Sequence, residues 1–120
     1  TEDYGFDLSN FILSPKITDI IFGNNFDRNI TIKLPDTLIS ITFEGNFDKS
    51  LQNVLPKSIK KIIFGLQFNQ NIHNTFFEGI EYIKFGNNFN QSVENNIPNS
   101  VKYLQFGDNF NQELKIRSLT

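Results

Sequence analysis

The chain has 120 residues, a formal net charge of -2, and an apolar set dominated by 14 phenylalanines together with isoleucine and leucine. Acidic and basic residues are interspersed, which argues against nonspecific binding to nucleic acid or to an anionic membrane. Because the sequence contains no cysteine, disulfides, thiolate metal sites and a cysteine nucleophile are excluded together.

The opening segment TEDYGFDLSN has neither the basic region nor the apolar region of a signal peptide. No apolar run approaches the roughly 18 residues that cross a bilayer. We therefore expect a soluble chain with no membrane partner, intracellular or associated with a virus particle. Residues 1–14, with YGFD at 4–7, predict a shortened, degenerate N-terminal repeat or cap, and the absence of an initiator methionine predicts a fragment of a longer chain.

Residues 15–120 repeat with a period of 21. The phrase FGNNFDRNI at 22–30 returns as FGLQFNQNI from residue 64, FGNNFNQSV from 85 and FGDNFNQEL from 106. Two phenylalanine columns follow the period, at Phe22, Phe43, Phe64, Phe85 and Phe106 and at Phe26, Phe47, Phe68, Phe89 and Phe110. A fixed period of this length predicts a solenoid, here of five coils in a single domain.

Four of the five repeats begin near a proline, at Pro15, Pro35, Pro56 and Pro98, and the fourth repeat has Phe76 and Phe77 there instead. Each repeat continues as a short alternation of apolar and other residues, as in IKKIIF at 59–64 and VKYLQF at 101–106. That alternation predicts one short strand per repeat. A glycine and an amide residue then predict a turn, with the amides at Asn25, Asn46, Gln67, Asn88 and Asn109. We expect Asn25, Asn46, Asn88 and Asn109 to point inward and to satisfy the turns of neighbouring coils, in a ladder that Gln67 interrupts.

About a dozen mostly polar residues remain for the return leg of each repeat, which leaves little room for a helix. We expect irregular or 3₁₀ segments there and little or no α-helix. Stacked repeats would align equivalent strands about 4.8 Å apart in a parallel sheet. The two phenylalanine columns would then form the shared core, since no single coil can bury its own apolar residues.

The pattern F-N-x-x-[IL]-x-x-x-[IL]-P, with L-x-x-L-x-F-G upstream, resembles the FNIP repeat. This is a short relative of the leucine-rich repeat that occurs in amoebal and giant-virus proteins. VKYLQFGDNF at 101–110 also follows the leucine-rich pattern L-x-x-L-x-L-x-x-N through the asparagine. The resemblance covers residues 15–120 and implies a mainly β, leucine-rich-repeat-like solenoid.

No convergent set of catalytic groups stands out, and no cofactor is implied. The single histidine, His73, lies in a polar return leg and predicts a surface residue. Asp27 and Asp48 occupy equivalent positions, but a calcium site needs about six to eight oxygen ligands, and other repeats carry asparagine there. Solvated turns are the better interpretation, so we predict neither a metal site nor an enzyme.

The residues that vary between repeats are the candidates for binding, because the invariant columns of a solenoid face inward. Two outward strand positions per repeat define what we call the outer strip: Asp19, Ile21, Ser40, Thr42, Lys61, Ile63, Tyr82, Lys84, Tyr103 and Gln105. Its paired tyrosines predict a surface for a protein partner, although cross-strand packing alone would also explain them. Self-association through the solenoid ends and glycan recognition are the alternatives.

Overall fold

The computed structural model describes residues 13–114. They form one parallel sheet whose spatial order follows the chain. Its strands are β1 Asp19–Phe22, β2 Ser40–Phe43, β3 Lys61–Ile63, β4 Tyr82–Lys84 and β5 Tyr103–Gln105. Every strand pairs with the next in a register of 21 residues, so that Ile41 lies beside Ile62 and Ile62 beside Ile83.

This arrangement confirms the predicted solenoid of parallel strands. The described residues contain no helix. We number the coils by the strand that each contains. The cap predicted at 1–14 lies outside the described residues except for Leu13 and Ser14, and so does the predicted solenoid beyond Leu114.

The core is a double stack of phenylalanine rings that runs from coil to coil. Rings four residues apart stack within one coil, with centroids 4.0 Å apart for Phe64 and Phe68 and 3.8 Å apart for Phe85 and Phe89. Rings 21 residues apart stack between coils, as Phe68 does on Phe89 at 6.1 Å. The inner rings are almost fully buried. Because each ring contacts neighbours in both directions, the coils share one core.

The glycine that follows each of the strands β3, β4 and β5 is required by the close approach of two coils. None of Gly65, Gly86 and Gly107 has a left-handed backbone, so the turn itself does not demand glycine. A Cβ atom at Gly86 would lie 2.1 Å from the carbonyl oxygen of Gly65, and one at Gly107 would lie 2.5 Å from that of Gly86. Any side chain here would push the backbones of adjacent coils apart.

The return legs are irregular, as expected, and consist of turns. In coils 3 and 4 a single hydrogen bond closes such a turn. The backbone N–H of Ile59 donates to the carbonyl of Pro56, and that of Ile80 donates to the carbonyl of Phe77. A second turn in the return legs places Asn53, Asn74 and Asn95 in the left-handed region, with φ between 51° and 62°. Asparagine tolerates that conformation better than most residues.

The first coil departs from this pattern. Ile32 occupies the position of the left-handed asparagines, and a β-branched side chain strongly disfavours that conformation. The chain makes only a bend there. An open groove of about 400 Å³ lies beside it, between Leu34 and Leu55.

Candidate functional site: the outer strip of the sheet

The structure brings the ten residues of the outer strip together on one face of the sheet. The strand register forms them into two columns: Asp19, Ser40, Lys61, Tyr82 and Tyr103 in the first, and Ile21, Thr42, Ile63, Lys84 and Gln105 in the second. All ten side chains are exposed or half-buried, whereas the residue between them on each strand faces the core. The placement is therefore as expected, and the binding role stays a prediction.

The most ordered part of the strip is a stack that crosses β3, β4 and β5. The rings of Tyr82 and Tyr103 are nearly parallel, at 7° and with centroids 4.3 Å apart. The ammonium group of Lys61 lies 4.7 Å from the centroid of Tyr82, within the range of a cation–π contact. The hydroxyl of Tyr103 donates a hydrogen bond to Oε1 of Gln105. These contacts hold the tyrosines in place while Tyr103 remains 42% exposed.

The strip changes character toward β1. Ile21 is 68% exposed, more than any other large apolar residue among those described. Asp19 accepts a hydrogen bond from the hydroxyl of Thr18 at 2.7 Å. The face therefore runs from an acidic and aliphatic end at β1 to an aromatic and basic end at β3–β5.

A third column of exposed or half-buried side chains, which sequence reasoning missed, borders the strip just before each strand. It comprises Thr18, Ile39, Lys60, Glu81 and Lys102. Lys102 forms an ion pair with Glu81 at 3.6 Å, and Lys60 donates to the carbonyl of Gly79 at 3.2 Å. Sequence variation could have revealed this column, because the position follows a core residue that is always aliphatic and yet carries apolar, basic and acidic side chains.

The expected inward direction of the turn amides was wrong, and so was the expected break at Gln67, but the expected side-chain bonds between coils are present. Asn25, Asn46, Gln67, Asn88 and Asn109 lie in the turns, but their side chains are exposed or half-buried. They bond along the surface, from Nδ2 of Asn88 to Oε1 of Gln67 at 2.9 Å and from Nδ2 of Asn109 to Oδ1 of Asn88 at 3.3 Å. The core at this point is filled by phenylalanine, which leaves no room for an inward amide.

The column two residues later makes the bonds to the main chain of the next coil that were expected of the turn amides. Oδ1 of Asp48 accepts the backbone N–H of Asn69 at 2.9 Å and Nε2 of Gln70 at 2.8 Å. Asn69 repeats both contacts toward the next coil, accepting from Asn90 at 2.9 Å and from Gln91 at 3.0 Å. We call this column the amide ladder. An aspartate and an asparagine serve it equally, because only an acceptor oxygen is needed.

The comparisons with known proteins agree with this architecture. The FNIP repeat family matches residues 29–67 and 89–119, which is more than half of the chain. The chain belongs to the FNIP repeat family. The resemblance inferred from the sequence is thereby confirmed.

One solved structure similar to this FNIP chain is that of CroV588, described as a novel circular LRR protein structure. The two share 33% sequence identity and a TM-score of 0.64 over 87% of this chain. The chain spans 19% of the length of CroV588. No curated protein matches.

Serine and threonine supply another inter-coil contact of this FNIP solenoid that sequence reasoning missed. The hydroxyl of Ser58 donates to the carbonyl of Leu38, and that of Ser100 to the carbonyl of Ile80, both at 2.6 Å. Ser100 also accepts the backbone N–H of Gly79 at 2.8 Å. Thr37 makes the equivalent bond to the carbonyl of Ile17 at 2.7 Å. The hydroxyl residue two positions after Pro35, Pro56 and Pro98 therefore joins successive coils.

The positions considered for chemistry have structural roles or face solvent. Oδ1 of Asp27 accepts the backbone N–H of Asp48 at 2.8 Å, as the first member of the amide ladder. His73 is exposed. Within residues 13–114 no three acidic, histidine or cysteine side chains are grouped to hold a metal ion. The same residues include no helix that could cross a membrane.

Proposed function

We propose that this FNIP solenoid is a noncatalytic scaffold whose outer strip binds a protein partner. Repeat solenoids of this kind are typically non-enzymatic and present extended surfaces. The observation that carries the proposal is the stack of Lys61, Tyr82 and Tyr103, which is ordered before any partner arrives.

Order in the free protein favours binding for an entropic reason. Immobilising a flexible side chain at an interface costs about 0.5–1.5 kcal/mol. Here Tyr82 is already held between Lys61 and Tyr103. Much of its side-chain entropy is therefore lost when the protein folds and not when a partner binds. Five strands about 4.8 Å apart give a strip about 19 Å wide, which is wide enough for an extended segment or a small domain face.

Alanine substitution of the two tyrosines tests the proposal. We expect Tyr82→Ala and Tyr103→Ala to abolish capture of partner proteins in a comparative pull-down, with the fold retained in far-UV circular dichroism. Phe77→Ala is the matched control, because Phe77 is also an exposed aromatic residue, at 37%, but lies on a return leg. Capture that survives both tyrosine substitutions would mean that the pair serves only cross-strand packing.

End-to-end assembly, in a virus particle or another scaffold, is the second candidate function. In the last described coil Phe106 and Phe110 are only half-buried, whereas their equivalents in coils 3 and 4 are at most 3% exposed. A further coil, from a longer chain or a second copy, would cover them. The circular form of CroV588 is in keeping with continued stacking. Light scattering tests self-assembly: a constant monomer mass over a wide concentration range would refute it.

A further inference from the structure

The half of the outer strip on β3–β5 has a charge opposite to that of the chain. Lys61 and Lys84 are its only ionisable groups of fixed charge, and no carboxylate lies among its six residues. The chain as a whole carries -2. Because the protein is acidic overall, a positive surface here does not follow from composition alone.

The two lysines are also free of internal acidic partners. Among the described residues neither Lys61 nor Lys84 forms an ion pair, whereas Lys102 beside them is paired with Glu81. The hydroxyl of Tyr82 likewise makes no hydrogen bond to another described residue. Two ammonium groups and one hydroxyl donor therefore face solvent around a fixed aromatic stack.

We infer that the partner of the outer strip is an acidic protein segment, bound across β3–β5 with its carboxylates on Lys61 and Lys84. The inference rests on the proposed partner binding and adds the chemistry of the partner. Carboxylates are the complement of two unpaired ammonium groups, and the Tyr82 hydroxyl offers a third donor to the same groups.

The spacing of the lysines suits an extended segment. Lys61 and Lys84 lie on adjacent strands and two positions apart along them, so their backbones are about 8 Å apart by strand geometry. Alternate residues of an extended chain are about 6.7 Å apart on one face, and two long lysine side chains absorb the difference. Glutamates at alternate positions of a partner can therefore reach both ammonium groups, while an apolar side chain farther along the same face of the segment stacks on the open face of Tyr103.

Labelled peptides of equal length and with one aromatic residue each provide the test, read by fluorescence anisotropy on the full chain. One peptide carries glutamate at alternate positions, a second carries lysine there and a third carries serine. We expect the acidic peptide to bind most tightly and to weaken at high salt, because screening reduces exposed charge interactions. We expect Lys84→Glu to lower the affinity for the acidic peptide by about tenfold or more, and Lys84→Gln to lower it less.

The matched control is Lys33→Glu, which makes the same change of charge at an exposed lysine on a return leg. It should change the affinity by less than about twofold. An equal loss of affinity in Lys33→Glu and Lys84→Glu would mean that the peptide binds by general electrostatic attraction to the protein, and would overturn the inference. So would equal binding of the serine or lysine peptide, or tighter binding of a single-stranded oligonucleotide with the same dependence on Lys84.

The two proposals can fail separately. If the tyrosine substitutions abolish capture of a protein partner while no acidic peptide binds, partner binding stands and the acidic assignment falls. If the acidic peptide binds and depends on Lys84, the assignment holds even before a natural partner is identified.

Discussion

Replacing Gly86 by alanine should drive two coils apart. The new Cβ would lie 2.1 Å from the carbonyl oxygen and 2.6 Å from the carbonyl carbon of Gly65, whereas ordinary contact begins at 3.4 Å. The opposing atoms belong to the main chain and cannot rotate away. The backbones of coils 3 and 4 must therefore separate by about 1 Å at this point, since repulsion rises steeply inside the contact distance.

The size of the effect follows from two contributions. Overpacking of a well-packed interior costs about 1–3 kcal/mol. The neighbouring bond from the N–H of Asn88 to the carbonyl of Leu66 is already 3.1 Å long, and its loss adds about 1 kcal/mol. The expected decrease in the free energy of unfolding is therefore about 2–4 kcal/mol, a large fraction of the 5–15 kcal/mol typical of a domain.

Urea unfolding followed by far-UV circular dichroism measures this decrease. The matched control is Gly79→Ala, at a glycine with φ of +112° where a Cβ would meet no atom closer than 3.6 Å. There the substitution adds backbone strain of about 1–2 kcal/mol without a clash between coils. A Gly86→Ala variant as stable as Gly79→Ala would refute the close approach of the coils as the reason for glycine.

Three further pairs of substitutions probe the core, the amide ladder and the return leg by the same unfolding measurement. Phe68→Ala should lower the free energy of unfolding by about 3–5 kcal/mol, and Phe110→Ala, in the half-buried last coil, by less than about 2 kcal/mol; equal losses would contradict the shared core. Asn69→Ala should cost about 1–2 kcal/mol because two donors lose their acceptor, whereas Asn69→Asp should be nearly neutral, as Asp48 already performs that role. Asn74→Val should cost about 1–2 kcal/mol at φ of 51°, and Asn74→Gly should not; similar stability of the two would argue against a left-handed residue there.

The strands, their register and the phenylalanine core could be predicted because the repeated residues report them directly. A period of 21 fixes which residues lie side by side, and alternation within IKKIIF fixes which of them face inward. The outer strip followed from the same reasoning, since Tyr82 and Tyr103 had to be neighbours on the outward side.

The direction of side chains in the turns could not be predicted in the same way. Asn88 and Asn90 are both polar, both repeat every 21 residues, and lie on either side of the buried Phe89. Only the backbone path decides which of them accepts a main-chain N–H of the next coil, and periodicity carries no information on that path. The border column of Lys60 and Glu81 was missed for a related reason, because the strand begins one residue after them.

The amide ladder has a consequence for how this protein tolerates changes in length. Its bonds join residues 21 or 22 positions apart, and each coil offers the same acceptors to the coil that follows. Duplication or deletion of 21 residues would preserve every one of these pairings, whereas a deletion of 20 would place a phenylalanine where an acceptor is required. Evolution can therefore lengthen or shorten such a chain only in whole units, and each added unit brings two new positions on the outer strip that are free to vary.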